Sequence, residues 1–138
     1  LGDVYKRQNT ATNLYLQFNG DTGANYTAHE LYGNGSTAVA GFEGASQTSA
    51  LTVRVAGNNA ASSSFGAGVL DVLDYANTNK YKTVITLNGM DLNGSGYIYL
   101  ASGNWRSTSA ISSIVLNRQY GSNFKQYSQF ALYGIRST

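Results

Sequence analysis

The sequence predicts an all-β fold, an antiparallel β-sandwich of the jelly-roll-like kind, and three observations carry that expectation. From Leu14 onward, short stretches alternate between apolar and polar residues with a period of two, the period of a half-buried strand. Asn-Gly and similar turn pairs interrupt the alternation roughly every ten residues. The composition agrees: 16 Gly, 11 Tyr, no Pro and only 12% charged residues make poor helix material and good strand-and-turn material.

The elements follow in order. Leu14, Leu16 and Phe18 alternate with Tyr15, Gln17 and Asn19, and Asn19-Gly20-Asp21 then turns the chain because Asn and Gly tolerate positive φ. Tyr26–Tyr32 is a second strand, with Tyr26, Ala28, Glu30 and Tyr32 on one face, closed by Asn34-Gly35-Ser36. Ala38–Glu43 is a weak strand and Ala50–Ala56 a strong one. After a small polar loop from Asn58 to Ser64, Phe65–Tyr75 is apolar on both sides, which predicts a central strand. Ala76–Lys80 is a hairpin loop and Tyr81–Leu87 its returning strand. Asn88-Gly89 and Asn93-Gly94 are expected to bracket another loop, followed by alternation from Tyr97 to Ala101. Ser102–Thr108 is expected as a loop carrying Trp105, Ile111–Asn117 as a strand, Gly121-Ser122-Asn123 as a turn and Gln129–Arg136 as the last strand. Eight or nine short strands at this spacing suit one sandwich domain over residues 9–138.

Composition also excludes several functions. The chain has no cysteine, so disulfides and thiolate metal sites are ruled out. Its nine cationic residues, Lys6, Arg7, Arg54, Lys80, Lys82, Arg106, Arg118, Lys125 and Arg136, are scattered, unlike the clustered footprint of a nucleic-acid binder. No apolar run reaches the ~18 residues of a membrane-spanning helix. Leu1–Gln8 (LGDVYKRQ) shows no alternation. It resembles translated adapter sequence found at the ends of environmental contigs, so it is expected to be non-native and the sandwich to lack its N-terminal strand or strands.

Catalytic machinery is not expected. His29 is the single histidine and lies mid-strand without a nucleophile signature. The carboxylates Asp21, Glu30, Glu43, Asp71, Asp74 and Asp91 form no visible pair; Asp71 and Asp74 fall on opposite faces of a strand. Asp74 is expected to cap the hairpin loop or to pair with Lys80 or Lys82. Asp91, Asn93 and Ser95, followed by Gly96, match the opening of a calcium loop. The twelfth place holds Ser102 where a bidentate Glu belongs, and an Asn-Gly turn explains the same residues. No cofactor is expected. The tyrosines suit cross-strand pairing. Trp105, between Asn104 and Arg106 in the expected loop, is the residue set to test for ligand contact.

Several strings extend the argument: Leu16–Tyr26 (LQFNGDTGANY), Leu31–Gly35 (LYGNG), Leu70–Thr83 (LDVLDYANTNKYKT), Gly103–Ile111 (GNWRSTSAI) and Phe130–Ile135 (FALYGI). Together they resemble an environmental tailed-bacteriophage family of virion-associated β-domains, of the capsid-decoration, head-fibre or tail-fibre kind. The resemblance implies a place on the virion, other virion proteins as partners and a homo-oligomeric state, and it carries no catalytic residues. A carbohydrate-binding module that recognises host-surface glycans is the alternative, with Trp105, Asn104 and Arg106 as its contacts.

Overall fold

The computed structural model describes residues 10–57, 59–119 and 123–135. The segment Leu1–Gln8, Gly121-Ser122 of the expected turn, and Arg136 lie outside the described residues. Eight strands are described: β1 (Ala11–Phe18), β2 (Tyr26–Gly33), β3 (Ala38–Gln47), β4 (Ala50–Ala56), β5 (Gly66–Val72), β6 (Lys82–Asp91), β7 (Gly96–Trp105) and β8 (Ile114–Arg118). They form two antiparallel sheets, one ordered β4-β1-β8 and the other β3-β2-β7-β6-β5. The all-β, two-sheet, sandwich-like architecture is therefore as the alternation predicts. Within the larger sheet β5-β6-β7 run as a simple meander.

Turn chemistry sets the strand ends. Asn19 and Gly20 both have positive φ, and the Asp21 amide donates to Phe18 O at 2.9 Å, the geometry of a type I′ turn. Asn93 and Gly94 do the same between β6 and β7. The Asn19 side chain goes further. Its amide donates to Ala110 O at 2.8 Å, and its oxygen accepts from the Ser112 and Ser113 amides at 2.8 and 3.1 Å, which tethers the segment leading into β8.

The main core lies between the sheets and comprises Leu16, Phe18, Tyr26, Ala50, Val84 and Trp105, with Leu70, Val72, Ile111 and Leu116 packed around it. Strand β4 crosses over β6 and β7. The approach is close because small residues face each other: a Cβ added at Gly103 would lie 3.0 Å from the Ala50 Cβ. The Tyr26 hydroxyl accepts from the Phe18 amide at 3.0 Å and donates to Asp21 O at 3.1 Å, so a fully buried phenol keeps partners.

Four expectations are corrected. β5 is an edge strand, not a central one; it is apolar on both sides because the outward face of its whole sheet is apolar. Asn88-Gly89 lies inside β6 and makes no loop. β7 runs on to Trp105, through residues expected to be a loop. Residues 129–135 form no strand although they alternate. An extended segment becomes a strand only when a neighbouring backbone accepts its hydrogen bonds, and this one joins neither sheet.

Candidate functional site

The three residues singled out for ligand contact do not converge. Trp105 ends β7 on the inner face and is 3% exposed. Its ring packs against Phe18 (centroids 5.4 Å apart) and Tyr26 (6.4 Å), and its indole N–H donates to Asp21 Oδ2 at 2.7 Å. A ring so placed has no face to offer a sugar. Asn104 is on the opposite face of the same strand and donates to Lys82 O at 3.3 Å. The Arg106 guanidinium donates to Ala24 O and its amide to Asn25 O. These groups lock the β1–β2 connection onto the end of β7. Asp21 completes the lock by accepting from the Gly23 amide at 2.8 Å and the Asn25 side chain at 3.0 Å. The indole hydrogen bond, helped by Asn25 and Gly23 and opposed by partial burial, holds the Asp21 carboxyl below its ordinary value. Burial is also the main cause that pushes the Tyr26 phenol up.

The calcium-like string is a hairpin turn. Asp91 accepts from the Asn93 amide at 2.8 Å, and the Leu92 amide donates to Ser95 O at 2.7 Å. Among the described residues no group of three His, Asp or Glu side chains is placed to hold a metal ion. His29 is exposed and stacks on Phe42 of the neighbouring strand, centroids 4.6 Å apart. Asp74 pairs with Lys80 at 3.0 Å just beyond β5, and Asp71 lies on β5 itself.

Polar side chains inside the sandwich hold backbone. Lys82 is buried on β6, and its ammonium donates to Asn77 O at 2.6 Å, Lys80 O at 2.8 Å and Thr108 O at 3.3 Å. Asn88, also buried, accepts from the Arg54 amide at 3.3 Å and donates to Arg54 O, so one side chain bridges β6 to β4 of the other sheet. The Arg54 guanidinium lies over the Tyr97 ring at 4.1 Å and near Tyr32 at 5.5 Å, a cation–π contact that closes that end of the interior. Tyr99 donates to Glu30 in the same cluster.

The surface feature with the largest potential for function is the outer face of the five-stranded sheet. The register aligns Val69, Leu87, Leu100, Leu31 and Ala40 in one row across all five strands. Ile85, His29 and Phe42 lie in the row on one side, with Asp71 at the margin, and Ala67, Gly89 and Ile98 in the row on the other. Seven large side chains, Leu31, Phe42, Val69, Ile85, Leu87, Ile98 and Leu100, are each 45–71% exposed. Together they form a contiguous apolar patch, whereas exposed apolar residues on a monomer are ordinarily scattered singly. Gly89 leaves a dip in this face, a shallow groove of about 320 Å³ walled by Val69, Leu87 and Ile98 and bordered by Ala67 and Gly68. No charged side chain lies in the central row.

Sequence reasoning missed this face although its signal was present. Ile85-x-Leu87 and Ile98-x-Leu100 sit opposite residues that are themselves apolar, Val84 and Tyr99, and two-sided apolar strands mean either burial on both faces or a face awaiting a partner. The fold thus defines a class: a two-sheet antiparallel, sandwich-like β-domain with an exposed apolar face on its five-stranded sheet. Comparison with protein-family models, curated proteins and solved structures found no match to this chain.

Proposed function

We propose that this chain is a non-enzymatic structural module of a phage virion, a decoration or fibre domain of jelly-roll-like ancestry that works by assembling with copies of itself and with other virion proteins. The observation that carries the reading is the uninterrupted apolar row from Val69 to Ala40 on an otherwise solvent-facing sheet. Contiguous exposed apolar patches of this kind mark protein interaction sites. Because the face lacks charge at its centre, two identical surfaces meet without repulsion, which favours homo-oligomers. The β1–β8 and β2–β7 pairings support the jelly-roll-like ancestry, and the string resemblances from Leu16 to Ile135 support the virion location.

Sedimentation equilibrium of the wild type and of Leu87→Lys tests the assembly. The wild type is expected as an oligomer and the variant as a monomer with an unchanged far-ultraviolet spectrum. A wild type that stays monomeric at high concentration contradicts the reading. A glycan array supplies the second arm: sugar binding by the wild type that persists in Leu87→Lys would put the carbohydrate-binding alternative in its place.

A further inference from the structure

We infer that Asn93-Gly94, at the tip of the β6–β7 hairpin, is a site of spontaneous covalent modification: the Asn93 carboxamide converts to aspartate and isoaspartate ahead of the other Asn-Gly pairs in the chain. The inference stands apart from the assembly reading. Asparagine is a thermolabile residue, and most of all before glycine, where no side chain shields the following amide. The chain holds four such pairs, Asn19-Gly20, Asn34-Gly35, Asn88-Gly89 and Asn93-Gly94. They share the same dipeptide, so what separates them is how the fold holds each carboxamide.

Three of the four are tied down. Asn19 donates to Ala110 O at 2.8 Å and accepts from the Ser112 and Ser113 amides at 2.8 and 3.1 Å. The Asn34 oxygen accepts from the Ser36 and Thr37 amides at 3.0 and 2.8 Å and from both of their hydroxyls. Asn88 is buried and bonded to the Arg54 backbone, and Gly89 after it is paired with a strand on each side. Asn93 differs. It and Gly94 are exposed. The Asn93 backbone amide donates to Asp91 Oδ1 at 2.8 Å, but among the described residues its carboxamide makes no hydrogen bond, and the Gly94 amide donates none.

The chemistry needs that freedom, because the carboxamide must swing over the next peptide until the Gly94 nitrogen meets Asn93 Cγ. Hydroxide takes the Gly94 amide proton, the N–Cγ bond forms and the Cγ–Nδ2 bond breaks. The nitrogen leaves as ammonia with a proton from water. Water then opens the five-membered imide at either carbonyl, giving aspartate or isoaspartate. Both products carry a new carboxylate, which lowers the formal net charge of +2 by one. Isoaspartate also routes the backbone through the side-chain carbon. That lengthens a two-residue connection in which Asn93 and Gly94 hold φ of 60° and 104° and which sets Asp91 opposite Gly96. Turn length fixes hairpin register, so this product disturbs the β6–β7 pairing.

The test incubates the folded full chain in mildly alkaline buffer and follows each pair by peptide mapping with mass spectrometry. Asn93 is expected to convert at least several-fold faster than Asn19, Asn34 or Asn88. Its product is an early acidic species on ion exchange that Asn93→Gln lacks. In concentrated urea the four rates should draw together, because the hydrogen bonds that hold the other three are gone. Conversion at another pair as fast as at Asn93 in the folded chain overturns the inference. So does an order of rates that urea leaves unchanged, since the fold would then not select the site. An early acidic species that persists in Asn93→Gln overturns it too, as does a folded chain in which Asn93 stays intact over the time the unfolded chain takes to convert.

Discussion

The two faces of strand β6 invert the usual rule. Its buried face carries Lys82, Val84, Thr86, Asn88 and Met90, while its exposed face carries Ile85 and Leu87. On hydropathy alone the strand would be placed the other way round. The inner face is affordable because its polar groups are used: Lys82 holds three loop carbonyls and Asn88 spans the sheets to Arg54, and a buried polar group with its partners costs little. The apolar side chains of the outer face stay exposed among the described residues. What the contrast teaches is that the inner face maintains the fold, while the outer face is the one on which the proposed assembly depends.

Substitutions should therefore separate stability from assembly. The largest loss is expected for Trp105→Ala, which empties the centre of the core and removes the indole donor to Asp21; about 3–5 kcal/mol should appear in urea unfolding. Asn88→Leu is apolar and similar in size, yet it should cost about 2 kcal/mol by stranding the Arg54 amide and carbonyl. If Asn88→Leu were neutral or stabilising, the inner polar network would have no structural role. By contrast Leu87→Lys and Leu100→Lys, measured at concentrations where the chain is monomeric, should change stability by less than about 0.5 kcal/mol.

A smaller effect concerns pH. The Asp21 carboxyl sits below its ordinary value of 3.8, chiefly through the Trp105 hydrogen bond. Its contribution is present above that value and is lost as pH falls through the lower, folded one. Trp105→Phe should flatten this acid limb in melting temperature against pH. The Tyr26 phenol is raised above 10.0 by burial, so its contribution is complete below pH 10 and is lost as pH climbs through the folded value. A Tyr26→Phe variant should lack that alkaline limb.

How much of this was legible in the sequence depends on what each feature needed. β1, β2, β4 and β7 declare themselves because alternation and Asn-Gly turns are local properties. Asn93-Gly94 was readable as a turn for the same reason, and Asp74 with Lys80 as a short-range pair. The side of β6 that faces inward was not readable, since that depends on β4 crossing above it. Trp105 was misplaced because Gly103 and Asn104 look like loop residues; Gly103 is small to admit Ala50 of the facing sheet, a long-range demand that no local window contains. The C-terminal alternation was seen, but whether it pairs depends on a neighbour that the sequence does not name. The two-sided apolarity of β5 predicts burial in a central strand, whereas in β5 and β6 alike it reflects an outer face left exposed among the described residues.

The most direct measurement is the solvent accessibility of the Leu31, Leu87, Ile98 and Leu100 methyl groups as protein concentration rises, read by nuclear magnetic resonance with a soluble paramagnetic agent. The account predicts that these methyls become shielded together while Ile114 on β8 keeps its exposure. Methyls on the outer face that stay equally accessible at every concentration would contradict it.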